Sequence, residues 1–220
     1  MELKHTLNRG VDKRKIFLDD RDRYRFIHDL YEFNDEALVT TGSYYFNRSL
    51  VIARRKQRQM LVDIHAFCLM PNHYHLLLSP KIENGIPRFM KKLNMGYARY
   101  FNERYNRSGA LFEGRYKSVV VTDEAHFLHL PNYIHFNPLD LISSGWRDNK
   151  IGNHKRELEF LRNYRWSSYQ DYIGIKNFSS VISRSFLEEV FGGSRKYNDS
   201  TTQWLREIDV GYLKDVQLEQ

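Results

Sequence analysis

The stretch CLMPNHYHLLLSP, Cys68 to Pro80, decides the fold and raises the functional question. With the residues before it, it reads as two strands, Leu61–Met70 and His73–Leu78. Side chains at i and i+2 of a strand point to the same face. His73 and His75 therefore stand side by side on one surface, a costly pair to bury unless something engages the imidazoles.

Working outward, the flanking segments alternate between strand and helix. LKHTLNRG at the N-terminus is a short alternating strand that turns at Asn8-Arg9-Gly10. In DDRDRYRFIHDLYEFNDEA, Phe26, Leu30 and Phe33 recur at helical spacing. A further strand signal lies at Leu50–Ala53, followed by RRKQR (Arg54–Arg58), which reads as a solvated turn or a phosphate contact. From Ile86 to Arg107 the spacing predicts a helix with Pro87 in its first turn. Phe89, Leu93, Tyr97, Tyr100 and Phe101 form its apolar stripe. RSGALFEGRYKSVVVTDE then reads as a glycine-broken loop feeding a strand, Lys117–Val121. Thr122 is a candidate N-cap, with Asp123 and Glu124 suited to a helix start. That helix runs toward Asn137-Pro138, where the proline ends it.

Beyond Ser143-Ser144-Gly145 the chain turns polar, and RDNKIGNHKRELEF reads as a mobile connection. Helical signals return in SFLEEVFGG and TTQWLREIDVGYL. The division expected is a first domain over 1–145 and a partly helical extension over 146–220, packed on it. No GxGxxG or GxxxxGK[ST] is present, which argues against Rossmann and P-loop nucleotide folds.

Bulk composition sets the broad class. The 220 residues are 41% hydrophobic and 15% aromatic, enough for a real core. Lys and Arg number 34 against 27 Asp and Glu, a net charge of +7 that suits a polyanionic partner. The single cysteine, Cys68, excludes an internal disulfide framework and reads as a small core residue. The N-terminus lacks an apolar signal-peptide core, and no apolar run approaches the roughly 20 residues of a membrane span. The expectation is a soluble, cytoplasmic protein with no membrane association.

Two imidazoles on adjacent same-face positions are good donors for one divalent ion, or else a pair of hydrogen-bonded strand histidines. A metallo-β-lactamase-like hydrolase needs HxHxDH, but Leu77 and Leu78 follow His75. A histidine-triad hydrolase needs a third alternating histidine where Leu77 stands, and no second H-x-[ST] serves a two-histidine phosphoesterase. PNYIHFNP, Pro131 to Pro138, offers another partner. On a helix Tyr133 and Asn137 share a face. A tyrosine hydroxyl can attack a phosphodiester, and the Asn137 amide oxygen can complete a two-His, one-oxygen metal site. Tyr133 is nonetheless one of 15 tyrosines, and these residues alone do not single it out.

MPNHYHLLL resembles the HUH motif (histidine, hydrophobic, histidine) of single-tyrosine HUH transposases, the insertion-sequence 200-like family. YARYFNERYNRSGALFEGRYKS, YIHFNPLDL and YRWSSYQDYIG follow in the order of its REP-associated tyrosine transposase branch. NRGVDKRKIFLDDRDRYRF at the start is a fifth matching block, so the resemblance spans roughly residues 5–175. It implies an α/β, ferredoxin-like antiparallel sheet with flanking helices, the HUH pair on a central strand, and a helical C-terminal extension. It implies Tyr133 as nucleophile and His73, His75 and Asn137 as ligands of Mg²⁺ or Mn²⁺. The reaction implied is metal-dependent cleavage and rejoining of hairpin-bearing single-stranded DNA through a 5′-phosphotyrosine, by a monomer or homodimer.

Basic and aromatic residues in NRSGALFEGRYKS are candidate DNA contacts, namely Arg107, Phe112, Arg115, Tyr116 and Lys117, as are Arg54 and Arg55 in RRKQR. Trp166 reads as core, and His135, a helical i+2 step from Tyr133, as structural. Pro131 departs from a plain helix, since proline in a helix interior costs about 3 kcal/mol or more. The helix is expected to restart or kink there. Two rival readings are a domesticated DNA-hairpin binder that does not cleave, and an HUH nickase of replication initiation.

Overall fold

The computed structural model describes residues 2–37, 58–122, 124–143, 145–148, 150–207 and 218. The strand expected at Leu50–Ala53, Arg54, Arg55 and Asp123 lie outside the described residues. Four strands and two helices run in the order β1 (Leu3–Arg9), α1 (Asp20–Glu32), β2 (Val62–Met70), β3 (His73–Pro80), α2 (Gly85–Arg104) and β4 (Lys117–Val121). They form one sheet in the order β2-β3-β1-β4, antiparallel at every pairing. This is the ferredoxin-like arrangement, with β1 and β3 in the centre.

The sheet has two distinct faces, set by the strand alternation. Thr6, Tyr74, Leu76 and Leu78 point to one side, where α1 and α2 cover them. There the Tyr74 hydroxyl donates to Asn94 Oδ1 at 2.6 Å, and the Phe26 ring lies 4.7 Å from that of Tyr74. The amphipathic stripes of both helices supply the packing: Phe26 and Leu30 from α1, and Phe89, Leu93, Tyr97 and Phe101 from α2, all buried. Tyr100 is only half-buried and donates to Asp22 Oδ1 at 3.1 Å, tying α2 to α1. Asp19 caps α1 by accepting from the Asp22 N–H at 3.1 Å, as an aspartate at this position should.

His5, Leu7, His73, His75 and Leu77 point to the opposite face. It is covered by α3 (Glu124–Phe136), which continues into a 3₁₀ turn, Asn137–Leu141. The helix runs through Pro131 as one element, without the restart that was one expectation. It ends just before Asn137-Pro138, as the second proline dictates.

The C-terminal part adds α4 (His154–Asn163), α5 (Tyr169–Tyr172), α6 (Ser185–Phe191) and α7 (Ser194–Arg206). The helix α4 corrects the expectation of a mobile connection over this stretch. Asn153 caps it by accepting from the Arg156 N–H at 3.1 Å. Its inward side rests on little more than Leu161 and the buried Glu157, which is why its polar sequence does not read as a helix. Just before α5, residues 166–168 lie along the edge of β2. Leu69 N–H donates to Trp166 O at 2.9 Å and Ser168 N–H to Phe67 O at 3.0 Å. An exposed sheet edge is thereby covered. Trp166 is buried against Tyr24 and Phe178, and Cys68 is fully buried in the core, as expected. No helix among the described residues is long and apolar enough to cross a membrane.

Candidate active site

The site is built where β1, β3 and α3 meet. His73 opens β3 directly after the turn Pro71-Asn72, and that turn is anchored from outside. The Gly10 N–H donates to Asn72 O at 2.8 Å, and the Ile16 N–H to Pro71 O at 2.9 Å. A side chain at position 10 would meet the Arg14 carbonyl at 2.3 Å, so the close approach requires glycine. The Asn72 amide orients His73. Its NH₂ faces the Lys13 carbonyl at 3.3 Å, so its oxygen faces His73 Nδ1, 2.6 Å away. An amide oxygen only accepts, so His73 carries its proton on Nδ1 and its lone pair on Nε2.

His75 is completely buried, and its Nδ1 lies 2.9 Å from Nε2 of His5 on β1. The two rings are nearly parallel, 5.2 Å apart between centroids, while those of His73 and His75 stand 5.0 Å apart and nearly perpendicular. Three imidazoles thus share the face, one more than the sequence singled out. Arg9 also lies on it, directly opposite His73 in the strand register.

Tyr133, near the end of α3, brings its ring to this cluster. It meets His75 edge-on at 6.3 Å and His5 at 6.4 Å. It is fully buried, with Trp146 at 5.9 Å and the Arg147 guanidinium 5.6 Å from its ring centre. Of the four principal site residues expected, His73, His75 and Tyr133 are therefore brought together.

Asn137 sits one turn beyond Tyr133 and is equally buried. Its NH₂ donates to the Tyr133 carbonyl at 2.9 Å, and its Oδ1 accepts from Arg147 Nη2 at 2.8 Å. A carbonyl only accepts and a guanidinium only donates, so the amide orientation is unambiguous. Arg147 also donates to Asp140, which in turn accepts from Trp146 Nε1 at 2.6 Å. The oxygen expected to bind a metal is thus already shared with a cation, although it keeps a second lone pair.

These donors fit a divalent ion held by two imidazoles, with oxygen completing the shell. The oxygen can come from an amide, water or phosphate. Among the described residues, no group of three or more His, Cys, Asp or Glu side chains is arranged to hold a metal. The nitrogen that His5 turns toward the pair is engaged with His75.

The expected DNA contacts are placed unevenly. Arg115 and Lys117 are exposed, Tyr116 is half-buried against the core, and Lys117 starts β4. Arg107 donates to Asn102 Oδ1 at 2.8 Å and lies over the Phe101 ring. Phe112 is buried, its ring edge-on to that of Tyr74 with centroids 6.1 Å apart. His135 faces away from the site, as its spacing predicts. Its ring nitrogens lie 2.6 Å from the Tyr197 hydroxyl and 2.7 Å from Ser168 Oγ, and burial lowers its pKa to about 3.

His5, Asn72 and Arg147 were not read from the sequence. The signal for His5 was an inward position on the alternating strand LKHTLNRG, but only strand pairing reveals its neighbour. Asn72 and Arg147 carry no spacing signal at all.

Residues 37–137 match the model of the IS200-like transposase family. Among solved structures, the chain is similar to a REP-associated tyrosine transposase bound to a REP hairpin, at 12% identity and a TM-score of 0.45. That match covers 80% of this chain and 83% of the other. It is also similar to a candidate transposase from Deinococcus radiodurans R1, at 18% identity and a TM-score of 0.36, over 61% of this chain and 89% of that one. No curated protein matches the chain.

Proposed function

From a chain whose residues 37–137 match the model of the IS200-like transposase family, we propose a metal-dependent single-stranded DNA nuclease and strand transferase that acts on hairpin-bearing DNA. One observation carries the reading: a tyrosine ring on α3 lies edge-on to His75 of the pair and to His5 beside it, on the two central strands. A binding module needs a basic surface, but not a phenol placed against two oriented imidazoles.

In this reading Tyr133 supplies the nucleophilic oxygen. It loses its proton and attacks the scissile phosphorus, forming a phosphotyrosine on the 5′ side. The P–O3′ bond breaks, and the leaving oxygen takes up a proton to become a free 3′-OH. Attack by another 3′-OH reverses the step and rejoins strands, so the bond energy is conserved in the intermediate. His73 and His75 would hold Mg²⁺ or Mn²⁺, with Asn137 Oδ1 as the proposed third donor; when bound, such an ion would offset the charge that builds on the phosphate. Mixed nitrogen and oxygen ligation suits Mn²⁺ better than Mg²⁺.

A free phenol has a pKa of about 10 and is a weak nucleophile near neutrality. Tyr133 is fully buried, so it must also become accessible to act on DNA. Trp146 and Arg147, which pack on its ring, are the groups a phosphate has to pass.

Single-stranded DNA from the regions flanking the gene, incubated with Mn²⁺ and run on a denaturing gel, tests this. A covalent protein–DNA band should form, require the ion, and disappear in Tyr133→Phe. Tight hairpin binding without any covalent band would favour the non-cleaving binder.

A further inference from the structure

We infer that His5 is a positioning residue that fixes the tautomer of His75. On this assignment His75 Nδ1–H donates to His5 Nε2, and the His75 lone pair is held on Nε2. The choice of this tautomer over the opposite one rests on the function proposed above; the hydrogen-bonded pair itself does not.

Three observations support the assignment. His5 Nε2 and His75 Nδ1 lie 2.9 Å apart, both residues are fully buried, and both sit on paired central strands. The ring planes differ by only 18° and the centroids lie 5.2 Å apart, so the rings meet edge to edge with the nitrogens in line. His73 shows the same device built from a different residue. There an amide oxygen accepts from Nδ1 and leaves Nε2 with the lone pair. Each imidazole of the pair thus has its Nδ1 engaged by a neighbour, Asn72 for one and His5 for the other. Two nitrogens of the same kind are thereby presented.

The alternative tautomer would leave the pair unable to hold a metal. If His5 Nε2–H donated instead, His75 would carry its proton on Nε2, and that nitrogen could not serve as a ligand. A neighbour that locks the ligand tautomer raises metal affinity because no rearrangement is needed on binding. Losing such a neighbour typically weakens metal binding ten- to a hundredfold.

The test uses the full chain with ¹⁵N-labelled histidine, metal-free, at a pH where the imidazoles are neutral. Long-range ¹H–¹⁵N spectra distinguish protonated from unprotonated ring nitrogens, and the His75→Gln variant assigns the His75 signals. In the wild type, His75 should show a protonated Nδ1 and an unprotonated Nε2. A proton on Nε2 overturns the inference. His5→Phe should mix or reverse the tautomer, whereas His5→Gln, which keeps an acceptor oxygen, should preserve it. Mn²⁺ affinity, read by electron paramagnetic resonance, should fall about ten- to a hundredfold in His5→Phe and recover in His5→Gln. Unchanged tautomer and affinity in His5→Phe would reduce His5 to packing and overturn the inference. A wild type with the expected tautomer but no Mn²⁺ binding would sink the metal reading and leave the positioning role standing. If His5→Phe fails to fold, the wild-type tautomer decides.

Discussion

His75 and His135 are both fully buried imidazoles, yet their surroundings differ. His135 is held by the Tyr197 and Ser168 hydroxyls, and burial lowers its pKa to about 3. It stays neutral in the fold while the unfolded chain takes up a proton near pH 6.5. Its contribution is therefore complete above that pH and is lost progressively as the pH falls toward 3. At pH 5 the loss is about 2 kcal/mol. Urea titrations should show a smaller stability difference between pH 7 and pH 5 in His135→Gln, by roughly that amount.

Arg147 makes a second residue-scale test. Its guanidinium bonds the amide oxygen proposed as the third metal donor, so bound metal places two positive charges side by side. Removing the charge in Arg147→Met should tighten Mn²⁺ binding by about tenfold, measured by calorimetry. Weaker binding would mean that Asn137 is not a ligand. The grouping of His73, His75 and Tyr133 was legible because an i,i+2 pattern and a recognisable block mark them; their roles are part of the proposal. His5 and Arg147 were not, because each matters only through a partner 70 or 10 residues away.

At the scale of elements, strong periodicity made β1, α1, α2 and β4 legible, with boundaries close to those expected. The helix α4 was missed because few apolar residues carry it. Its start is set by a capping side chain rather than a hydrophobic stripe. The edge pairing of residues 166–168 was equally hidden, since it is a long-range contact made largely by backbone atoms. Ser168 is the hinge of that contact. Its hydroxyl accepts from the Phe67 N–H at 2.9 Å and bonds His135 at 2.7 Å. Ser168→Ala strands both groups and should cost about 2–4 kcal/mol in urea unfolding, from two unsatisfied buried partners. A cost below about 1 kcal/mol would show that water replaces the hydroxyl.

Over the whole molecule, the extension and the tyrosine helix share one core. Trp204 of α7 packs on Phe136 and Trp146 and donates to His129 Nδ1 at 2.9 Å. Buried residues form one hydrophobic cluster from Leu3 to Leu205. The first domain and the extension should therefore unfold together, with far-ultraviolet dichroism and tryptophan fluorescence giving coincident transitions. Two separate transitions would make the extension an independent unit.

The net charge of +7 bears on the partner rather than the fold. If about four phosphates are neutralised, raising salt from 50 to 200 mM should weaken single-strand binding roughly fiftyfold. The central claim, however, is covalent chemistry at one tyrosine. The most direct measurement is mass spectrometry of proteolysed protein after reaction with single-stranded DNA and Mn²⁺, locating the residue that carries the nucleotide. The account predicts a phosphodiester on Tyr133 alone. A nucleotide on any other residue, or cleaved strands with no protein adduct, would contradict it.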